Sequence, residues 1–230
     1  MMYKEVMAAF YEHRDGEKAE KMAAYMKGNF PFLGITKKDR LSLQSAFISQ
    51  AKNSGTIDWE LVFHLWALPE REFQYLALDY LLVLRTLLQE EDIGKLKTLI
   101  TTKAWWDTVD GLAGNMTGTL CAKFPGIVEN QLLQWAESGN IWLVRAAIIF
   151  QLKYKEKTDT EILGRVIEKN SNTKEFFINK GLSNETSSIF SALTIILMVL
   201  FISIILYFLT KKILLGLIRA VAKRSKTKWD

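Results

Sequence analysis

At 230 residues the chain has room for one sizeable domain, or for one domain with an appendage. Its formal charge of +5 resides in residues 181–230, which carry seven basic and two acidic side chains. Residues 1–180 are therefore neutral, and their composition alone gives no ground for a nucleic-acid partner. The single cysteine, Cys121, excludes an intrachain disulfide. His13 and His64 stand far apart without cysteine neighbours, which excludes a zinc-type ligand set, so no metal and no cofactor are expected.

Along the chain, Met1 to Glu5 lack the apolar run of a signal peptide, and a cytoplasmic body is the expectation. The prolines, Pro31, Pro69 and Pro125, fall where helices should start or stop. Glu70, Arg71 and Glu72 after Pro69 make a good first turn. Phe73, Leu76, Ala77, Tyr80, Leu81 and Leu84 then draw a helical stripe. Leu143, Ala146, Ala147, Phe150 and Tyr154 draw a second one. Strand-like alternation is missing, so the body is expected to be all-α. Aromatic helix openings recur at Pro69, Ala104, Asn140 and Lys174, in steps of 35, 36 and 34 residues. That period fits stacked antiparallel helix pairs sharing one continuous core; an irregular helical bundle is the alternative.

Trp106 and Asp110 stand four apart, on one face of a helix. The ring face attracts a cation, and the carboxylate can steady a developing oxocarbenium ion or orient water. Arg145, one repeat later, offers a forked donor to a phosphate. Taken singly, each has a plainer reading: a core tryptophan, and a solvated aspartate and arginine. Physics alone names no activity here.

Several segments together resemble a known family. Arg71 to Asp79, Lys103 to Asp110, Asn140 to Ala147, Phe150 to Lys155 and Lys174 to Ile178 are similar to the AlkD-type DNA alkylation-repair glycosylases, in order from about Lys18 to Lys180. The resemblance implies a HEAT-like helical-repeat solenoid that excises cationic N3- or N7-alkylated purines from double-stranded DNA, without a cofactor. It implies that Trp106 contacts the lesion deoxyribose, that Asp110 stabilises the oxocarbenium ion or positions water, and that Arg145 contacts the DNA backbone. Tyr25 would lie against the lesion. In the family a tryptophan forms a second aromatic wall near the end of the similar region, but Asn184 stands at that place in this chain.

The expected domains are therefore 1–180, a DNA alkylation-repair domain truncated at its C-terminal end, and 181–230, a divergent tail. Residues 189–209 hold 21 uncharged residues, enough for a long apolar helix across a bilayer core of about 30 Å. Residues 213–222 are too short and basic to span, and suit an interfacial helix. Membrane association through 189–209, a slipped coding frame near codon 180, and a soluble cap over the open repeat end are the three readings of this tail. The rival function is a catalytically inactive scaffold that binds DNA or protein, membrane-tethered if the tail inserts.

Overall fold

The computed structural model describes residues 2–170, and these form an all-α body. The tail, with its apolar run 189–209 and Asn184, lies outside the described residues, as does the helix opening at Lys174. Among the described residues no helix is long and apolar enough to cross a membrane.

The helices follow in order: α1 (Met2–Glu12), α2 (Gly16–Tyr25), α3 (Lys37–Leu43), α4 (Ser45–Lys52), α5 (Trp59–Ala67) and α6 (Arg71–Leu84). After them come α7 (Ile93–Thr101), α8 (Trp106–Gly111), α9 (Gly118–Lys123), α10 (Leu133–Glu137), α11 (Ile141–Ile149) and α12 (Thr160–Asn170). A π-helical stretch, Leu112–Thr117, joins α8 to α9, and a second, Val128–Leu132, leads into α10.

The stripe expected in α6 is the core: Phe73, Leu76, Ala77, Tyr80, Leu81 and Leu84 are all buried. The helices α6, α8 and α11 begin about 35 residues apart, each just inside an aromatic opening. Side chains from other segments, on α5, α9, α12 and just beyond α11, bind the neighbouring unit in the same register. Trp66 Nε1 donates to the Thr102 carbonyl 36 residues on, Lys123 Nζ to the Leu88 carbonyl 35 residues back, and the Tyr154 hydroxyl to the Gly118 carbonyl 36 residues back. Arg165 grips Glu129 across the same 36-residue interval. Cross-links repeating at one offset are what stacked, equivalent units produce, and they are consistent with a helical-repeat fold.

The second stripe departs from expectation at its end. Helix α11 stops at Ile149, and Tyr154 lies beyond it. Just beyond the helix the Gln151 amide pairs with both backbone groups of Asp159, donating at 3.0 Å and accepting at 2.7 Å. Lys155 then takes a left-handed φ of 54°. Phe150 is buried all the same, with its backbone packed on Gly118, where a Cβ would lie 2.4 Å from the Phe150 carbonyl oxygen.

Charge in the first turn of α6 is buried. Glu72 is buried and accepts from three consecutive backbone N–H groups, Leu33, Gly34 and Ile35, at 2.9–3.2 Å. That clamp fixes the connection between α2 and α3. It needs Gly34 at φ 88°, a left-handed value that side-chain-bearing residues avoid. A Cβ there would also meet the Asp15 carbonyl oxygen at 2.0 Å. Gly34→Ala is expected to destabilise the fold by about 2–3 kcal/mol, read as a lower urea midpoint. An unchanged midpoint would contradict this account of the connection.

Candidate active site

Helix α8 is short, and its start is built by a buried ion pair. Arg71, fully buried, donates from Nε and Nη2 to the two oxygens of Asp107 at 3.0 and 2.6 Å. Its remaining bonds reach the Lys103 carbonyl at 2.8 Å and Thr108 Oγ1 at 2.9 Å, and its guanidinium carbon lies 3.8 Å from the centroid of the Phe30 ring. The Tyr75 hydroxyl donates to Asp107 Oδ2 at 2.7 Å. Burial, then the bond to Asp107, pushes the Tyr75 pKa well above its ordinary value, so the phenol stays a donor. Lys103 sits at φ 47° just before the helix, and its ammonium caps the Ala67 and Leu68 carbonyls at the end of α5. With Asp107 drawn inward, its neighbour Trp106 is turned outward and stands 40% exposed.

From Trp106 the expected site residues run in one connected chain. The Tyr25 ring, 71% exposed at the end of α2, meets Trp106 edge to face at 6.4 Å between centroids. Asp110 lies one turn along α8 from Trp106. Arg145 on α11 holds Asp110 in a forked bond, Nε to Oδ1 at 2.6 Å and Nη2 to Oδ2 at 2.8 Å. Both partners of that bond remain partly exposed. The bond raises the Arg145 pKa against the opposing cost of its burial. Asn140 sets α11 in place, its side-chain oxygen accepting from the Trp142 and Leu143 N–H groups as an N-cap. Trp105 and Trp142, one repeat apart, pack at 5.6 Å behind this face.

So four residues from three helices, far apart in sequence, occupy one patch. What the structure adds is that Asp110 and Arg145 bind each other. The sequence separated their roles and gave no sign of the contact, although the 35-residue interval between them was visible. Arg71, Tyr75 and Asp107 were also missed as a supporting set, and the 36-residue step from Arg71 to Asp107 was the one available signal. Among the described residues no cluster of His, Cys, Asp or Glu is arranged to hold a metal. Cys121 is buried, which pushes its pKa up to about 12 and leaves an inert thiol.

Residues 6–184 match the family described as DNA alkylation repair enzyme. The chain belongs to that family. A solved structure, described as a predicted DNA alkylation repair enzyme from Enterococcus faecalis, is 30% identical and superimposes with a TM-score of 0.62. That similarity covers 73% of this chain and 78% of the other. No curated protein matches the chain. Membership in the DNA alkylation repair enzyme family makes DNA repair the general role of this protein.

Proposed function

We propose that the protein is a DNA glycosylase that hydrolyses the N-glycosidic bond of cationic N3- or N7-alkylated purines in duplex DNA. The observation that carries this reading is the connected patch of Tyr25, Trp106, Asp110 and Arg145 on the described body. The 35–36-residue register of the cross-links supports treating that body as HEAT-like repeats.

The chemistry asks little of acid catalysis. An alkylated purine already carries positive charge, so it leaves as a neutral base when the bond to C1′ breaks and takes the bonding electrons with it. The sugar is left as an oxocarbenium ion. The exposed faces of Trp106 and Tyr25 suit that cationic sugar, and the Asp110 carboxylate stabilises the charge as it develops. Water then adds to C1′ and loses a proton, giving an abasic site. No step requires a metal or a strong general acid.

Asp110 and Arg145 occupy each other in the free protein, so DNA must rearrange them. A backbone phosphate offers Arg145 a partner of the same forked geometry as the carboxylate. Transfer of the guanidinium to phosphate would free the carboxylate beside the lesion sugar. Arg145→Ala is accordingly expected to weaken duplex binding at every sequence. It should also lower the slope of log affinity against log salt by about one. Salt titrations of binding to unmodified duplex measure this, and an unchanged slope would remove Arg145 from the phosphate contacts.

The same forked bond also favours a second reading, a DNA-binding scaffold without catalysis, since both carboxylate oxygens are taken. Incubating the full chain, in mild detergent, with methylated duplex and assaying free 7-methylguanine separates the two. Release supports the glycosylase; tight binding without release supports the scaffold.

A further inference from the structure

A cavity of about 520 Å³ opens beside the patch, between α2, α3 and α6. Its volume falls within the roughly 300–1,000 Å³ typical of small-molecule sites. Three ring systems line it. Tyr25 is one, so the cavity begins where the Tyr25–Trp106 pair ends. Phe32 and Tyr75 are the others, with centroids 6.5 Å apart and planes inclined by 49°. Met22 and Met26 add polarisable, adaptable thioethers. The functional reading above makes no use of this space.

The charge around it is lopsided. Lys21, Lys37 and Arg40 reach the cavity, while Asp107 is the acidic residue of its lining. Asp107 is already spent on Arg71 and the Tyr75 hydroxyl. Arg40 is bound to Asp79 and lies 5.1 Å from the Tyr75 ring centroid, which makes it part of the wall. Lys37 is exposed at the rim and also borders an adjoining hollow of about 250 Å³. Lys21 pairs with Glu17 only across an exposed turn of α2, a contact readily exchanged. A cationic ligand would be repelled by this rim, and a purely apolar one would leave it unused. Aromatic faces within and lysines at the mouth fit a planar group attached to an anion, which is the pattern of sites for unstacked nucleotides.

We propose that this cavity binds one unstacked nucleotide of the engaged DNA, its base among Tyr25, Phe32 and Tyr75 and its phosphate against Lys21 and Lys37. A nucleotide beside the lesion, once out of the stack, would be within reach, because Tyr25 is shared between the cavity and the Trp106 face. The proposal rests on the DNA-handling part of the functional reading and is independent of base release.

The test follows the methyl signals of Met22 and Met26 in the full-length chain, in mild detergent. Deoxyadenosine monophosphate is expected to shift both in a saturable way, and deoxyadenosine to bind at least about threefold more weakly for want of the phosphate contact. Lys37→Ala should weaken the monophosphate by a similar factor and leave the nucleoside unaffected. A duplex with one unpaired nucleotide should reproduce the shifts, whereas a fully paired duplex should not. Absence of a saturable shift with the monophosphate would overturn the proposal, as would equal shifts from paired and unpaired duplexes. Base release is scored separately. Shifts without release would sink the glycosylase reading and leave the nucleotide site standing; release without shifts would do the reverse.

Discussion

Asp110→Asn is expected to lower single-turnover base release by at least about 100-fold, the loss typical when one preorganised charge facing a transition state is removed. The substitution keeps the shape and takes away the charge that the oxocarbenium ion would meet. Asp110 is about one-third exposed, so part of its field is screened by water and the lower end of the usual 10²–10³ range is appropriate. The fold should be nearly indifferent. The Arg145 pair is partly solvated, and such pairs contribute about 0–1 kcal/mol. Binding to unmodified duplex should hold or tighten, because Arg145 is relieved of its competing partner. That combination of lost release, kept stability and kept affinity is specific to a carboxylate used in the chemical step. Undiminished release by the variant would exclude Asp110 from the mechanism.

Arg71→Ala should cost about 3–5 kcal/mol of stability, the range for breaking a buried pair from one side. The variant leaves the Asp107 carboxylate, nearly buried, with the Tyr75 hydroxyl as its remaining side-chain donor. It also strips a donor from the Lys103 carbonyl, whose residue is held at a left-handed φ. Replacing both members of the pair by apolar residues of similar volume should recover much of the loss, since the larger penalty lies in the unpaired charge. Urea unfolding of the single and double variants measures this. A single-variant loss below about 1 kcal/mol would mean that the start of α8 is held by something else.

The two predictions turn on two aspartates of one helix, Asp107 and Asp110, with opposite fates, and that contrast shows how far the sequence could be read. Asp107 and Asp110 are three apart on a six-residue helix, yet one is locked inside by Arg71 and the other faces Arg145 at the surface. Helical periodicity places residues on faces, but it cannot say which face meets a buried arginine from another unit. The α6 stripe was legible because apolar burial follows a local period. The charged first turn of the same helix was legible as a helix start but not as a buried one. Arg71 and Glu72 read only as a good helix start, and partners 32–39 residues away account for their burial. The end of α11 was misjudged because no glycine or proline marks it, and the Gln151–Asp159 pairing just beyond it is not legible locally. Spacing and residue chemistry singled out Trp106, Asp110 and Arg145, family resemblance added Tyr25 and the roles, and the structure brings these side chains together. Their roles in the reaction are the proposal made above. The cavity behind Tyr25 had no sequence signature, since its walls come from α2, the α2–α3 connection, α3, α6 and α8.

The most direct test of the central claim is a single-turnover reaction of the full chain, in mild detergent, with a duplex carrying one N7-methylguanine. The account predicts that free 7-methylguanine accumulates while an alkali-labile abasic site appears at that one position, and that Asp110→Asn suppresses both together. Stable binding of the methylated duplex with neither free base nor abasic site would contradict it, and would leave the protein a scaffold that holds damaged DNA without opening the glycosidic bond.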